Sequence, residues 1–504
     1  MQKRLRRLSL VLFCFLYHHG ISLGQDDHII RLGTQRVIFV DHYLVDTLEG
    51  AQIVMHRPDD KGTVMYFNKP WEGVFCGYTT IIKDGPLYRA YYRGLPSDKQ
   101  YVAPAGKKQS KVSKAMAIEL DKHLSTTCYA ESKDGIHWVK PVLKLHKIDG
   151  DFENNIILAR ESATHNFSPF LDSRPNTPPD QKYKAMGGTS EGGGLFAFVS
   201  SDGIHWKKFK NEPITKNGMF DSQNVCFWSE SEGLYACYFR TWSGTGYKGY
   251  RTVSRITSPD FLHWSELVAM TFGDTPPEQL YTQQTSPYFR APQIYIAIGG
   301  RLMEGRQVLT AEQAAKLKVE PGYFHDVSDA YFMTTRGGST YSRMFLESFI
   351  RPGTGLSNWV SRTNYPALNV VQTGPEEMSV YVNQNYAQPT ACLERYTLRL
   401  DGFTSLYAPY RGGRFITKPF TFSGKELEIN YATSAAGEIR IEIQDEKGEP
   451  IPGFTMKDTQ HLIGNEISRT VSWNGNQNLE ALASKPVRLH IYLKDADLYS
   501  LRFK

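Results

Sequence analysis

SKDGIHW at residues 132–138, SSDGIHW at 200–206 and SPDFLHW at 258–264 are one phrase written three times. Each sets a polar Ser-x-Asp turn before an apolar residue and a His-Trp pair. Each follows an alternating stretch ending on Ser or Thr: CYAESKDGIHW, FAFVSSDGIHW and SRITSPDFLHW. The physical content is a strand, a tight turn and an aromatic anchor. The spacings of 68 and 58 residues hold about one four-stranded sheet each. A supersecondary unit recurring at that period predicts radial repetition, a β-propeller.

Working outward, the N-terminus reads as a signal peptide over 1–24. Lys3, Arg4, Arg6 and Arg7 precede the short apolar run LSLVLFCFLY (8–17), and Ser22 and Gly24 are small residues at a cleavage position. An uncleaved anchor is the alternative, although His18 and His19 interrupt the apolar run. The expected location is secreted or periplasmic, with no membrane span in the mature chain. Without those four basic residues, 54 Lys and Arg face 52 Asp and Glu, which argues against a nucleic-acid partner bound by bulk charge. Aromatics at 13% against 22% charged residues fit an all-β chain. Its length predicts two domains. Export leaves five of six cysteines, an odd number that no intrachain framework can pair completely. A four-residue turn at 230–233 would put Cys226 opposite Cys237, either as a cross-strand bridge or as two buried thiols.

The propeller is expected over 25–411. RVIFVDHYLVD (36–46) either completes the last blade or covers the N-terminus. Blade 1 takes GYTTIIKDG, LYRAYYRG and the first phrase, with a polar insertion over 95–125. Blade 2 takes HNFSPFLD, KYKAMGG and the second phrase. Blade 3 takes FDSQNVCFW, GLYACYFR and the third. APQIYIAIGGRL and SDAYFMTTRGG are assigned to blade 4, around a short helix over 309–317 with a Thr310/Gln313 capping box. EEMSVYVNQNY and CLERYTLRLDGFTSLYAP supply blade 5; six blades is the nearest alternative count. Residues 412–504 alternate without the phrase and read as a C-terminal β-sandwich.

In a propeller, the first strands line the channel and their ends meet at one mouth. Polar residues at blade starts are therefore the site candidates, although any one of them can instead cap a strand end. The catalytic candidates are Asp221 and Glu377, each just before an apolar strand, with Glu72 and Asp329 in reserve. The substrate-binding candidates are His165, Asn166, Gln223, Asn224, Arg240 and Arg290. Carboxylates among amides, His, Arg and aromatics suit a sugar. Glycosidic cleavage needs one carboxyl protonated and one ionised, roughly 5–5.5 Å apart for retention or 6.5–9.5 Å for inversion. HExxH, CxxC and P-loop motifs do not occur, and GTSEGGG (188–194) reads as a Gly-rich hairpin turn inside a β pattern rather than as a nucleophile elbow or nucleotide loop. No metal or other cofactor is expected, with a structural cation in the channel left open. His137, His205 and His263 read as structural rim residues.

DGIHW, HNFSPFLD, KYKAMGG, FDSQNVCFW and NWVSRTNYPALNVVQTGPEEMSVYV resemble exported proteins related to glycoside hydrolase families 32 and 43. The resemblance spans nearly the whole mature chain and implies a five-bladed propeller with acids on blades 1, 2 and 3. The Trp-x-Asn-Asp-Pro-Asn, Arg-Asp-Pro and Glu-Cys marks of family 32 are missing. His165 and Asn166 stand where blade 2 should supply an Asp, so the acidic triad does not carry over. The expectation is a secreted glycoside hydrolase-like enzyme cleaving a plant or algal polysaccharide or oligosaccharide with paired carboxylates. One alternative is elimination or dehydration of a uronic acid. There His165 or a Tyr such as Tyr288 removes a proton, and Arg240 or Arg290 neutralises the carboxylate. The other is a non-catalytic carbohydrate-binding protein.

Overall fold

The computed structural model describes residues 29–95, 125–148 and 150–504. The segment read from the sequence as a signal peptide and nearly all of the expected 95–125 insertion lie outside them. Five sheets form the ring. Blade 1 is Gly77–Asp84, Leu87–Gly94 and Thr126–Ser132, with Trp138–Val139 and Ile156–Ala159 on its outer side. Blade 2 is Ser168–Leu171, Tyr183–Gly187, Phe196–Ser200 and Lys207–Lys208. Blade 3 is Val225–Ser229, Leu234–Trp242, Arg251–Ser258 and Val268–Ala269. Blade 4 is Thr285–Tyr288, Ala291–Met303 and Val327–Thr335, interrupted by a helix at Ala311–Lys316 that carries the expected capping box.

In blade 5, Tyr365–Pro366 and Val371–Gln372 pair with Glu377–Gln384, followed by Cys392–Arg399 and, outermost, Asp59–Tyr66. An N-terminal strand thus closes the ring by hydrogen bonding to the last blade. That strand is 59–66 and not the apolar run 36–46. The latter joins a ten-stranded sheet with the C-terminal residues, as do Ile30–Gly33 and Gln52–Met55. Two long strands of this sheet, Leu427–Asp445 and Val487–Phe503, shift register between Thr433 and Glu438. Both halves of each strand share one apolar core with Leu32, Phe39 and Phe415.

The anchor phrase folds identically three times. In blade 2, Ser200 Oγ accepts the Gly203 amide at 2.9 Å, and Asp202 Oδ1 accepts the amides of Ile204 and His205 at 2.9 and 2.8 Å. Trp206 Nε1 donates to the Gly203 carbonyl at 3.1 Å, and its ring meets Phe167 edge-on at 5.0 Å. The turn needs a left-handed residue: Gly135 at φ +76° and Gly203 at φ +77°. Phe261 takes φ +71° in the third copy. That conformation is costly for a bulky side chain, and it is held by full burial against Tyr235, Phe170 and Trp264. His137, His205 and His263 each bond the Asp three residues earlier and stay largely exposed.

These turns give the propeller an acid-sensitive stability. At Asp134 the His137 side-chain bond leads in holding the carboxyl well below its ordinary 3.8. At Asp202 and Asp260 burial pushes upward, and the bonds from the following His and backbone amides outweigh it. A folded value below the unfolded one contributes stability that is complete above 3.8 and lost as pH falls through the folded value. The thermal midpoint is therefore expected to fall steeply below the ordinary carboxylate range. The triple variant Asp134→Asn, Asp202→Asn, Asp260→Asn should show a flatter profile; equal slopes in calorimetry would contradict this.

Where the propeller meets the C-terminal sheet, buried Asp401 gathers Tyr288 Oη at 2.8 Å, Ser500 Oγ at 2.6 Å and Arg290 Nε at 3.0 Å. Arg36 Nη1 lies 3.5 Å away. Cys226 and Cys237 are directly opposed as expected, and both thiols are free and buried. Among the described residues, no helix is long and apolar enough to cross a membrane.

Candidate functional site

Each blade's first strand runs from the mouth, its second returns to it and its third leaves again. Residues that precede a first strand or end a second strand therefore converge. They enclose a cavity of about 270 Å³ lined by Tyr78 and Arg93 of blade 1, His165 ahead of blade 2 and Asp221 ahead of blade 3. Tyr281 ahead of blade 4, and Arg362, Tyr365, Asn383 and Tyr386 of blade 5, complete it. One step down the inner strands the channel is closed by side-chain amides. Gln223 Nε2 donates to Thr80 Oγ1 at 2.8 Å, Gln284 Nε2 to Gln223 Oε1 at 2.6 Å, and Thr79 Oγ1 to Asn383 Oδ1 at 3.0 Å.

Asp221 is the sole carboxylate among the described lining residues. Its Oδ1 lies 2.5 Å from Nη2 of buried Arg240. The Asp221 carbonyl accepts Tyr78 Oη at 3.3 Å and faces His165 Nε2 at 3.3 Å. His165 Nδ1 is 3.5 Å from Arg93 Nη1. Both ring nitrogens of His165 are thus engaged. Arg93 also donates to the Phe75 carbonyl and to Tyr386 Oη, each at 3.0 Å.

Tyr281 sits among guanidiniums. Arg240 lies 4.5 Å, Arg251 5.2 Å and Arg362 5.7 Å from its ring centre. Burial alone would push the phenol up. Arg362, Arg240 and Arg251 outweigh burial and the Asp221 charge, and hold it below its ordinary value. Tyr78, across the cavity, goes the other way: burial and Tyr281 push it up, against Arg93 and Arg240. Burial lifts Tyr386 to about 12. Two phenols with shifted titration, facing one cavity among arginines, make it a candidate site. Arg362 has φ +59°, and its Nε is buried without a hydrogen-bond partner among the described residues.

Of the residues expected from the sequence, the structure brings His165, Asp221 and Arg240 to the mouth, with Gln223 in the amide layer beneath. Asn166 is consumed by the Gly188, Phe220 and Ser222 carbonyls. Asn224 is buried, bonding Phe220. Arg290 and Tyr288 belong to the Asp401 junction on the opposite face. Glu377 opens the second strand of blade 5, so its beginning points away from the mouth, about 20 Å along the strand from Asn383. There it pairs with Arg395. Glu72 is fully buried beside blade 1, held by Lys140 at 2.7 Å and Tyr92 Oη at 2.7 Å. Asp329 is clamped by Arg301 at 2.8 and 2.9 Å on the flank of blade 4. The paired-carboxylate arrangement is therefore not assembled among the described residues.

Sequence reasoning missed Tyr78, Arg93, Tyr281 and Arg362. A repeat signal existed for Arg93: it stands five residues after the buried Tyr88, as Arg240 stands five after Tyr235. Tyr78 obeyed the blade-start rule, while Tyr281 and Arg362 lie in connecting segments without any pattern.

No family model and no curated protein matches the chain. Several solved structures are similar to it. One described as a complex of BT0996 with RGII is 10% identical with a TM-score of 0.42, covering 68% of this chain and 92% of its own. An N-acetylgalactosamine deacetylase from F. plautii, bound to blood group B trisaccharide, is 12% identical with a TM-score of 0.42, covering 70% and 97%. A glycoside hydrolase family 43 arabinoxylan arabinofuranohydrolase from Bacillus subtilis, bound to cellotetraose, is 12% identical with a TM-score of 0.37, covering 86% and 96%.

Proposed function

We propose that this protein is an exported carbohydrate-active enzyme that breaks a glycosidic bond beside a carboxylate-bearing sugar, by elimination at the propeller mouth. The observation that carries this reading is a cavity in which two phenols, Tyr281 and Tyr78, stand among guanidiniums, three of them within 6 Å of the Tyr281 ring centre, beside one carboxylate paired with Arg240. Arg362, with donors to spare, takes the sugar carboxylate, and Arg93 adds positive charge across the cavity. Neutralising that carboxylate acidifies the carbon–hydrogen bond next to it. Tyr281 as phenolate takes that proton, the electrons form the carbon–carbon double bond, and the bond to the leaving oxygen breaks. Tyr78, held protonated, supplies the leaving oxygen with its proton.

Elimination needs no pair of protein carboxyls, which suits a mouth whose described lining holds one, Asp221, paired with Arg240. Hydrolysis is the second reading, favoured by the partly exposed Asp221 carboxylate beside a phenol able to attack an anomeric carbon. Uronate-containing oligosaccharides separate these outcomes. Elimination gives an unsaturated product whose ultraviolet absorbance rises with time, and this is the expected result. New reducing ends without that absorbance would establish hydrolysis, and affinity without turnover would establish a binding protein.

A further inference from the structure

Beside the mouth, between the strands of blade 4 and the segment 348–359 that follows them, lies a larger cavity of about 570 Å³. It opens on the mouth-side face, where Ala291–Met303 ends and Val327–Thr335 begins. Its charged lining is three arginines against one aspartate. Arg301 is spent, clamping Asp329 and pairing with Glu278 at 2.6 Å. Arg306 and Arg351 are exposed and have no ion-pair partner among the described residues. Trp359 gives the cavity an aromatic wall and is anchored by its Nε1 bond to the Gly353 carbonyl at 3.1 Å.

One loop builds both cavities: Trp359 lines this one, and Arg362, three residues on, lines the mouth. The Arg362 amide donates to Ser328 Oγ at 2.9 Å, and Asn364 Nδ2 to the Ser328 carbonyl at 2.9 Å. Asn358 ties the same loop to Gln384 at 2.8 Å. The distance between the two cavities is therefore set by fixed backbone.

We infer that this cavity is a second glycan subsite, taking a non-reacting uronate residue farther along the same glycan chain that is cleaved at the mouth. Trp359 stacks on the sugar's C–H face, and Arg306 and Arg351 pair with its carboxylate. The inference rests on the acidic-substrate reading of the mouth. Long substrates gain from two linked contacts, whereas short ones reach only the mouth.

The test uses the whole protein and the exposed double variant Arg306→Ala, Arg351→Ala, with Trp359→Ala as a second probe. Affinity electrophoresis in gels containing polygalacturonate or alginate is run beside dextran and dextran sulfate. The expected result is about a tenfold weaker affinity of the double variant for the polyuronates. KM for the polymer should rise while kcat and trisaccharide turnover stay unchanged. Unchanged polyuronate affinity in both variants would overturn the inference, as would an equal loss on dextran sulfate, which reports bulk charge alone. Arg306- and Arg351-dependent binding without any cleavage would leave this subsite standing and remove the reading of the mouth.

Discussion

Tyr281→Phe is expected to lower turnover of an acidic glycan by about 10²–10⁴-fold, the usual contribution of a positioned acid or base, while the fold is unchanged. The phenol is held below its ordinary value because Arg362, Arg240 and Arg251 overcome burial. The base works deprotonated, so kcat/KM should rise with pH through that depressed value and level off above it. Arg362 heads the groups that lower it; Arg362→Gln should move the rising limb to higher pH, besides weakening substrate binding. Tyr365→Phe is the internal control. The Tyr365 hydroxyl is buried in the same cavity, and burial pushes it well up. That variant should stay near wild-type rate. Equal losses for Tyr281→Phe and Tyr365→Phe, or a limb unmoved by Arg362→Gln, would remove Tyr281 from the base role.

Asp401→Ala should produce the largest stability loss, about 3–5 kcal/mol, because it strands buried positive charge. The carboxylate is fully buried and joins Arg36, Arg290, Tyr288, Ser500 and Asn430 across the junction of propeller and C-terminal sheet. Arg36 keeps Glu428 at 2.7 Å as a second partner; the damage therefore centres on Arg290 and the Tyr288 hydroxyl. Denaturant unfolding measures the loss. Activity in cool, denaturant-free buffer should persist, since the junction lies on the face opposite the mouth. A loss below about 1 kcal/mol, the range of an exposed ion pair, would mean that the hub is not what joins the two parts.

The repeated phrase made the first three blades legible, because an Asp turn capping backbone amides and a Trp packed below it are local devices that leave the same mark each time. The helix at 311–316 was legible for the same reason: Thr310 and Gln313 satisfy each other's amides across three residues. Glu377 shows where such reading stops. Its place before an apolar strand resembled that of Asp221, but whether a strand begins at the mouth depends on its rank within the blade. That rank changed once Tyr365–Pro366 and Val371–Gln372, two residues each, proved to be the innermost pieces of blade 5.

The closing strand was misplaced for a related reason. RVIFVDHYLVD is the more apolar of two N-terminal stretches, and it goes to the C-terminal core with Leu406 and Phe415. The polar run 59–66 closes the ring by backbone hydrogen bonds, which need no apolar side chains.

By itself, then, the chain determined what is local: alternating strands, their capped turns and a ring of sheets with one mouth. Tertiary structure alone decided which charges meet there. Arg93, Arg240, Arg251, Tyr281 and Arg362 span 270 positions, and three of those arginines lower the Tyr281 phenol only because ring closure sets them within 6 Å of its face. Electrostatic coupling falls with distance through space and takes no account of distance along the chain.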